Sequence, residues 1–113
     1  MIELLSVIKK YKEVTALDNV SMTVNKGEFF ALLGPNGAGK TTIIRILLDF
    51  TRPTSGITRI NGIPTGSPEA RKGIGYLPEN IKVPLFLTGR KYLERQAALV
   101  NLHGKNAARE IDR

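Results

Sequence analysis

Two segments near the start of the chain alternate apolar and polar residues in the way that is typical of β-strands. The first runs from Ile2 to Ile8 and the second from Ala16 to Val24. In the second segment, single polar residues separate Val20, Met22 and Val24. A period of two matches the alternation of side chains across a sheet. The pattern therefore predicts two β-strands.

The next segment joins an apolar run to a helical pattern. After a turn at Asn25-Lys26-Gly27, the residues from Glu28 to Leu33 are almost continuously apolar, which indicates a strand that is buried on both faces. Apolar residues then recur on most sides of a predicted helix from Lys40 to Phe50, and Arg52-Pro53 should stop it. We expect this helix to be buried against a sheet.

Shorter elements follow the first helix. Ile57 to Ile60 is predicted to be a strand, and the hairpin dipeptide Asn61-Gly62 leads to a return strand that opens at Ile63. Pro68 to Lys72 suits a single helical turn with proline at its first position. Ile74 to Leu77 is predicted to be another short buried strand.

Two helical patterns occupy the remainder of the chain. Thr88 is predicted to cap a helix that runs to about Leu102, and Gly104 is predicted to close it. A further helical pattern covers Asn106 to Arg113, with no stop signal and with no expected partner for its apolar face.

A glycine-rich loop lies between the predicted buried strand and the first helix. Its sequence, Gly34-Pro35-Asn36-Gly37-Ala38-Gly39-Lys40-Thr41, fits the pattern G-x-x-x-x-G-K-[ST]. In such a loop, backbone N–H groups converge on phosphates at a helix N-terminus, the lysine adds a positive charge, and the threonine hydroxyl can ligate Mg²⁺. A chance match has a probability on the order of a few in a thousand. The sequence thus predicts binding of a nucleotide with Mg²⁺, and the family resemblance described below implies that the nucleotide is ATP.

Length, composition and charge limit the classes of protein to which the chain can belong. A chain of 113 residues with 42% hydrophobic residues allows one modest globular core. It contains neither an apolar run of the roughly 20 residues that span a bilayer nor a secretory signal, so we expect a soluble, cytoplasmic chain. The net charge of +7 suggests nucleic acid, but the basic residues are dispersed and aromatic residues make up only 6%. No nucleic-acid partner is expected.

Several motifs together resemble the nucleotide-binding domain of ABC transporters. The loop, continued through Thr42, is similar to the Walker A motif of that family. Ala16-Leu17-Asp18-Asn19-Val20-Ser21 resembles the opening strands, and Pro53-Thr54-Ser55-Gly56 resembles the segment after the Walker helix. Ile74-Gly75-Tyr76-Leu77-Pro78-Glu79 resembles the approach to the Q-loop. The resemblance covers essentially all 113 residues.

The resemblance implies an α/β fold, with a parallel P-loop NTPase core and an antiparallel β subdomain. It implies that residues 1–113 are the N-terminal part of one ATP-binding domain, truncated before the signature motif and Walker B. The β subdomain and P-loop core would span residues 1–87, and the start of a helical subdomain would span residues 88–113.

The resemblance also implies roles for individual residues. Tyr11 would stack on adenine, Lys40 and Glu79 would be catalytic, and Thr41 and Glu79 would contact the metal. Glu79 stands where the family usually has glutamine, and Leu77-Pro78-Glu79-Asn80 resembles ATPase subunits of ABC-2 type exporters. The implied nucleotide-binding residues are Tyr11, Gly34, Pro35, Asn36, Gly37, Ala38, Gly39, Lys40, Thr41 and Thr42.

Simpler structural interpretations stand beside these roles. Tyr11 could be a half-buried packing residue, Glu79 a solvated loop carboxylate, and His103 a surface or packing residue. The three lysines that flank Tyr11 are interpreted as a solvated face; they are Lys9, Lys10 and Lys12.

The implied function is ATP-driven export by a full-length subunit. Such subunits pair as dimers of ATP-binding domains and join a transmembrane permease at the inner face of the membrane. The sequence lacks a segment related to Leu-Ser-Gly-Gly-Gln, a Walker B acidic pair and a switch histidine. Asp49 ends an imitation of Walker B, but it lies on the predicted helix, far from the phosphates. We therefore expect this chain alone to bind ATP without hydrolysing it.

Two alternatives remain for the function. One is a remnant that binds nucleotide without hydrolysing it, and the other is a small-molecule kinase, which the hairpin and the Q-loop-like segment disfavour. The predicted strand from Glu28 to Leu33 would have a bare edge in this chain, so self-association is also expected.

Overall fold

The structure of the chain is a computed structural model, and it describes residues 1–35, 37, 39–80, 84–99 and 104–112. It divides into two compact units, Met1–Ile74 and Gly75–Arg113. Among the described residues, the first unit holds a β-sheet and an α-helix, and the second holds two α-helices. The helical subdomain that we predict from Thr88 onward lies within the second unit, and its boundary stays a prediction.

An antiparallel sheet forms most of the first unit. Its strands are β1 (Ile2–Tyr11), β2 (Val14–Val24), β3 (Ser55–Ile60) and β4 (Ile63–Pro64). They lie in the order β2-β1-β3-β4, so β1 has a hydrogen-bonded neighbour on each side. The two strands that alternation predicts are confirmed, and both extend beyond the predicted bounds until they meet in a tight hairpin.

The dipeptide Asn61-Gly62 makes the turn that its sequence predicts. Asn61 has a φ angle of 51° and Gly62 one of 77°, and two successive positive φ angles are characteristic of the type I′ turn that suits the twist of a hairpin. On the two strands beside the turn, Thr58 and Thr65 are buried, and their hydroxyl oxygens are 2.5 Å apart. The predicted helical turn is also confirmed, as a short 3-10 turn at Pro68–Arg71.

The core of the first unit lies between the sheet and the helix α1 (Lys40–Leu47). Ile43 and Ile46 are buried on one face of α1, as their three-residue spacing allows. They pack with the buried sheet residues Leu4, Val7 and Leu17. Burying an isoleucine contributes about 1.5–3 kcal/mol, so these two side chains hold α1 on the sheet, as predicted. Leu47 is partly buried against the same core, whereas Ile44 is exposed.

The helix α1 ends at Leu47 rather than at the predicted Phe50. Asp49 takes the left-handed conformation with φ 58°, and its N–H donates to the carbonyl of Ile46 at 3.0 Å, while the N–H of Phe50 donates to the carbonyl of Arg45 at 2.8 Å. This pair of bonds is a Schellman motif, which satisfies carbonyls at the end of a helix. The prediction was wrong because aspartate occupies the position that glycine usually marks.

Two predicted strands are not formed. Glu28 to Leu33 has no strand conformation, and Phe29 is fully exposed. Ile74 to Leu77 is likewise irregular and exposed. A strand needs neighbours for its N–H and C=O groups, and in the described part of the chain the sheet consists of the four strands β2-β1-β3-β4, none of which pairs with these two segments. The parallel core that we predicted is therefore absent from the described residues.

The second unit contains the helices α2 (Gly89–Leu99) and α3 (Gly104–Ile111). The Thr88 hydroxyl accepts a hydrogen bond from the N–H of Lys91 at 3.2 Å, which confirms the predicted cap. Gly104 begins α3, so the prediction that it closes the preceding helix was wrong. The predicted helix end at Leu102, and His103, lie outside the described residues.

The helix α3 has a packing partner, contrary to our expectation. It packs against α2, with Ala97 of α2 and Ala107 of α3 both buried. The guanidinium group of Arg90 forms an ion pair with the carboxylate of Asp112 across the two helices. The small alanine side chains allow close approach of the two backbones. None of the described helices has the length and apolar character that crossing a membrane requires.

Candidate nucleotide-binding site

The glycine-rich loop lies directly before α1, where the sequence places it. Gly37 has a φ angle of 87° and Gly39 one of 92°, in the left-handed region that favours glycine. The path of the backbone therefore requires glycine at positions 37 and 39. Asn36 and Ala38, two of the predicted binding residues, lie outside the described residues.

The end of the loop packs against β2. A Cβ atom added to Gly39 would lie 2.7 Å from the Leu17 side chain and 2.8 Å from the carbonyl oxygen of Ala16. Only glycine fits in this contact, since real Cβ atoms are not found so close to such neighbours. The contact fixes the N-terminus of α1 beside one particular part of the sheet.

At the N-terminus of α1, no side chain caps the first N–H groups, so they can bind an anion. Gly39 is its cap residue and offers no side-chain bond, and the first turn carries no acidic residue. The first N–H groups of a helix have no partner within the helix, and the helix dipole places partial positive charge there. The exposed Thr41 and the half-buried Thr42 bring hydroxyl groups to the same turn. This end of the helix suits phosphate.

The Lys40 side chain turns back across the loop. Its ammonium group donates a hydrogen bond to the carbonyl oxygen of Gly34, at the first position of the motif. Among the described residues, no carboxylate pairs with Lys40, so its positive charge is not neutralised by an ion pair. The loop thus brings one full charge and the helix N-terminus to the same place. Pro35 lies between these points and is exposed.

The predicted adenine-stacking residue, Tyr11, lies at the last position of β1. It pairs with Val14, while Lys9 pairs with Leu17, which is the residue that Gly39 contacts. Two residues of a strand span roughly 7 Å, so Tyr11 and the loop lie at the same end of the sheet. Tyr11 keeps 43% of its surface exposed. The ring is therefore accessible for stacking, and its role in binding stays a prediction.

The predicted metal ligands do not meet within one unit. Glu79 lies in a bend of the second unit and is exposed, while Thr41 belongs to the first unit. Among the described residues, no cluster of three or more acidic, histidine or cysteine side chains could hold a metal ion by itself. The roles of Glu79 toward Mg²⁺ and in catalysis stay predictions.

Lys9 has partners that the sequence interpretation missed. Its ammonium group donates to the carbonyl oxygen of Arg52 at 2.6 Å and lies 4.9 Å from the centre of the Tyr11 ring. Lys9 therefore does not belong to a purely solvated face. Its position two residues before an aromatic residue in a strand is a signal for the ring contact, but nothing nearby in the sequence indicates Arg52.

The chain is similar to one protein-family model and to several ATP-binding proteins. The family model described as ABC transporter matches residues 17–111. An uncharacterised ABC transporter ATP-binding protein of Nostoc sp. is 43% identical over 91 residues, which cover 80% of this chain and 27% of the relative. A spermidine/putrescine import ATP-binding protein of Pseudomonas aeruginosa is 47% identical over 72 residues, which cover 64% and 20%. Nod factor export ATP-binding protein I of Rhizobium meliloti is 48% identical over 80 residues, which cover 69% and 24%.

A solved structure agrees with these relatives. The chain resembles an ATP-binding cassette that was solved as a dimer in a post-hydrolysis state with ADP and Pi, with a TM-score of 0.78 and 26% identity. The match covers 99% of this chain and 53% of that one, and it confirms the predicted fold class.

The chain spans about a quarter of the length of the curated relatives. Importer and exporter subunits both match, so the comparisons do not single out the ABC-2 exporters.

Proposed function

Because the chain belongs to the ABC transporter family, we propose that it is the ATP-binding part of a transporter ATPase subunit. The observation that carries this proposal is the uncapped N-terminus of α1, with the Lys40 ammonium group held across the glycine-rich loop. Unpaired N–H groups, a helix dipole and one lysine charge are the combination that binds the phosphates of a nucleotide. The residues present fit Mg·ATP.

Different residues would bind the phosphates, the metal ion and the adenine ring of Mg·ATP. Backbone N–H groups of the first turn of α1 would bind phosphate oxygens. The Lys40 ammonium group would leave the carbonyl oxygen of Gly34 and contact the β- and γ-phosphates. The Thr41 hydroxyl would be a ligand of Mg²⁺, which, when bound, neutralises charge on those phosphates. Tyr11 would support the adenine ring from the end of β1. Glu79 stands where the ABC transporter family usually has the glutamine of the Q-loop, and its carboxylate would contact the metal and water.

Hydrolysis needs groups that these 113 residues do not include. The sequence has no segment like Leu-Ser-Gly-Gly-Gln and no Walker B acidic pair. Without an acid that positions water, stabilisation of the γ-phosphoryl group is incomplete. We therefore assign turnover to a subunit that also carries those groups, paired with a second ATP-binding domain and with a permease at the cytoplasmic face of a membrane. The dimeric cassette among the similar structures supports the pairing.

The direction of transport that we propose is export. The resemblance of Leu77-Pro78-Glu79-Asn80 to ABC-2 exporter subunits supports it, as does the match to the Nod factor export protein. Import is the second candidate, because the spermidine/putrescine import protein matches at 47% identity. Reconstitution of the subunit with its permease in vesicles distinguishes the two, since ATP supplied on the side of the ATP-binding domain drives substrate away from that side only in an exporter.

The binding proposal is tested by replacing Lys40. In the 113-residue chain, we expect Lys40→Ala to lower the affinity for Mg·ATP by at least about tenfold, because charge-assisted bonds contribute about 1.5–3 kcal/mol. Calorimetric titration measures the change. Lys26→Ala is the matched control, since it removes the same charge from an exposed turn and should leave the affinity unchanged. Equal affinities for the two variants would contradict the assignment of the loop.

A further inference from the structure

The environment of Tyr11 includes a cation that is held in place from two directions. The Lys9 ammonium group lies 4.9 Å from the ring centre, within the range of a cation–π interaction. The same group donates to the carbonyl oxygen of Arg52 at 2.6 Å. A lysine side chain that makes two such contacts loses most of its rotamer freedom, so the cation has a defined place over the ring.

The carbonyl group that anchors Lys9 is itself fixed to the sheet. The N–H of Thr54 donates to the carbonyl of Ile8 at 2.8 Å, and the Thr54 hydroxyl accepts from the N–H of Lys10 at 2.9 Å. These two bonds tie the segment after α1 to β1, next to Lys9. The support for the ring therefore runs from β1 through Thr54 and Arg52 to the Lys9 ammonium group.

We propose that Lys9 is a positioning residue of the adenine site, which holds the Tyr11 ring from one face so that the other face receives the base. Tyr11 retains 43% of its surface exposed despite the contact with Lys9, so the ring is not enclosed. This inference rests on the proposed stacking role of Tyr11. It adds a specificity determinant for adenine outside the glycine-rich loop.

The electrostatics of aromatic rings supply the second part of the effect. The face of a tyrosine ring carries partial negative charge, and so does the face of a purine, which opposes direct stacking. A cation on the far face of the tyrosine ring attracts that charge. The face turned toward the base becomes less negative, so stacking of the base is favoured. Lys9 would thus orient the ring and strengthen its interaction with adenine.

The test compares two ligands in one set of variants of the 113-residue chain. The probes are ATP, which offers a base, and inorganic triphosphate, which does not. We expect Lys9→Met to weaken ATP binding about two- to fivefold and to leave triphosphate binding unchanged, because exposed cation–π contacts have effects of this size. Lys9→Arg keeps a cation over the ring and should preserve ATP binding. Lys9→Gln serves as a second neutral variant.

Lys10→Met is the matched control, because it removes the same charge from the adjacent position of β1 and, among the described residues, Lys10 has no ring contact. It should change the ratio of the two affinities by less than the measurement error. In a Tyr11→Ala background, Lys9→Met should have no further effect on ATP binding. Equal losses for ATP and triphosphate in Lys9→Met would overturn the proposal and identify a phosphate contact instead.

The outcomes also separate this inference from the proposal on which it rests. If Tyr11→Ala leaves ATP binding intact, the stacking role itself fails. If Tyr11→Ala weakens ATP binding but Lys9→Met does not, only the positioning role of Lys9 is wrong.

Discussion

The two side chains that contact ATP in our proposal depend on their surroundings to different degrees. Lys40 follows a glycine whose left-handed backbone and close contact with β2 leave no choice of path. Tyr11 stands at the end of a strand with much of its ring exposed. The phosphate end of the site is therefore held by the backbone, whereas the adenine end is held by side chains. Substitutions at the two ends should have separable effects on nucleotide and on triphosphate.

Removal of the Tyr11 ring tests the adenine end. We expect Tyr11→Ala to weaken ATP binding by about 1–3 kcal/mol, the usual contribution of stacking a base on an aromatic residue, and to leave inorganic triphosphate binding unchanged. Tyr11→Phe keeps the ring and should bind ATP as the natural chain does. Equilibrium dialysis with both ligands measures the effect. If both ligands lost affinity equally in Tyr11→Ala, the tyrosine would be a packing residue only.

Residues that act within a contiguous motif were predictable, and those that act through distant contacts were not. The pattern of the loop identifies Lys40, and the structure places its ammonium group over the loop. Lys9 was assigned to a solvated face because its anchor, Arg52, is separated from it by 43 positions. A sequence pattern carries spacing along the chain, and it does not indicate which distant carbonyl a lysine reaches.

At the scale of elements, α1 ends in a Schellman motif whose left-handed residue is aspartate instead of the usual glycine. Asp49 occupies the left-handed position of the Schellman motif, and its carboxylate lies 3.6 Å from both Arg52 and Arg71. One residue thus ends the helix and joins it to the turn that follows β4. Aspartate and asparagine tolerate the left-handed conformation, and most other residues do not.

This double role of Asp49 leads to a stability prediction. Asp49→Asn keeps the backbone conformation and removes the ion pairs, which are partly exposed, so the free energy of unfolding should fall by less than about 1 kcal/mol. Asp49→Val also forces a β-branched residue into the left-handed region, so we expect it to be less stable than Asp49→Asn by about 1–2 kcal/mol. Urea denaturation followed by circular dichroism measures both. Equal stabilities would show that backbone strain at this position is unimportant.

The elements that were predicted correctly are those whose signals are local. The Asn61-Gly62 turn, the Thr88 cap and the alternation of the first two strands each act within a few residues. The apolar run from Glu28 to Leu33 was predicted to be a strand, but a strand forms only when another strand supplies hydrogen-bond partners. Apolar character shows that burial of a segment would be favourable, and it does not show that a partner strand is present.

On the scale of the whole molecule, the chain combines one packed core, which Leu32 joins from the segment after β2, with strongly exposed apolar side chains in that same segment. The antiparallel sheet and α1 share one core, while the segment after β2 keeps Phe29 and Leu33 exposed at 107% and 89% of their reference areas. The same segment contributes no paired strand in the described residues. Exposed apolar side chains together with unpaired backbone groups are the combination that favours association between copies.

We therefore predict that the 113-residue chain self-associates through the segment from Glu28 to Leu33. Sedimentation velocity over a range of concentrations should show species larger than a monomer, and Leu33→Ser should shift the distribution toward the monomer. Leu5→Ser is the matched control, because Leu5 is also exposed but lies in β1, which is paired with a strand on each side; it should leave the distribution unchanged. The reason is that association requires apolar area and free hydrogen-bonding groups in one segment, and Leu5, in an internal strand, offers only the first. A monomer at all concentrations, or an equal response to both substitutions, would show that this segment is not the contact.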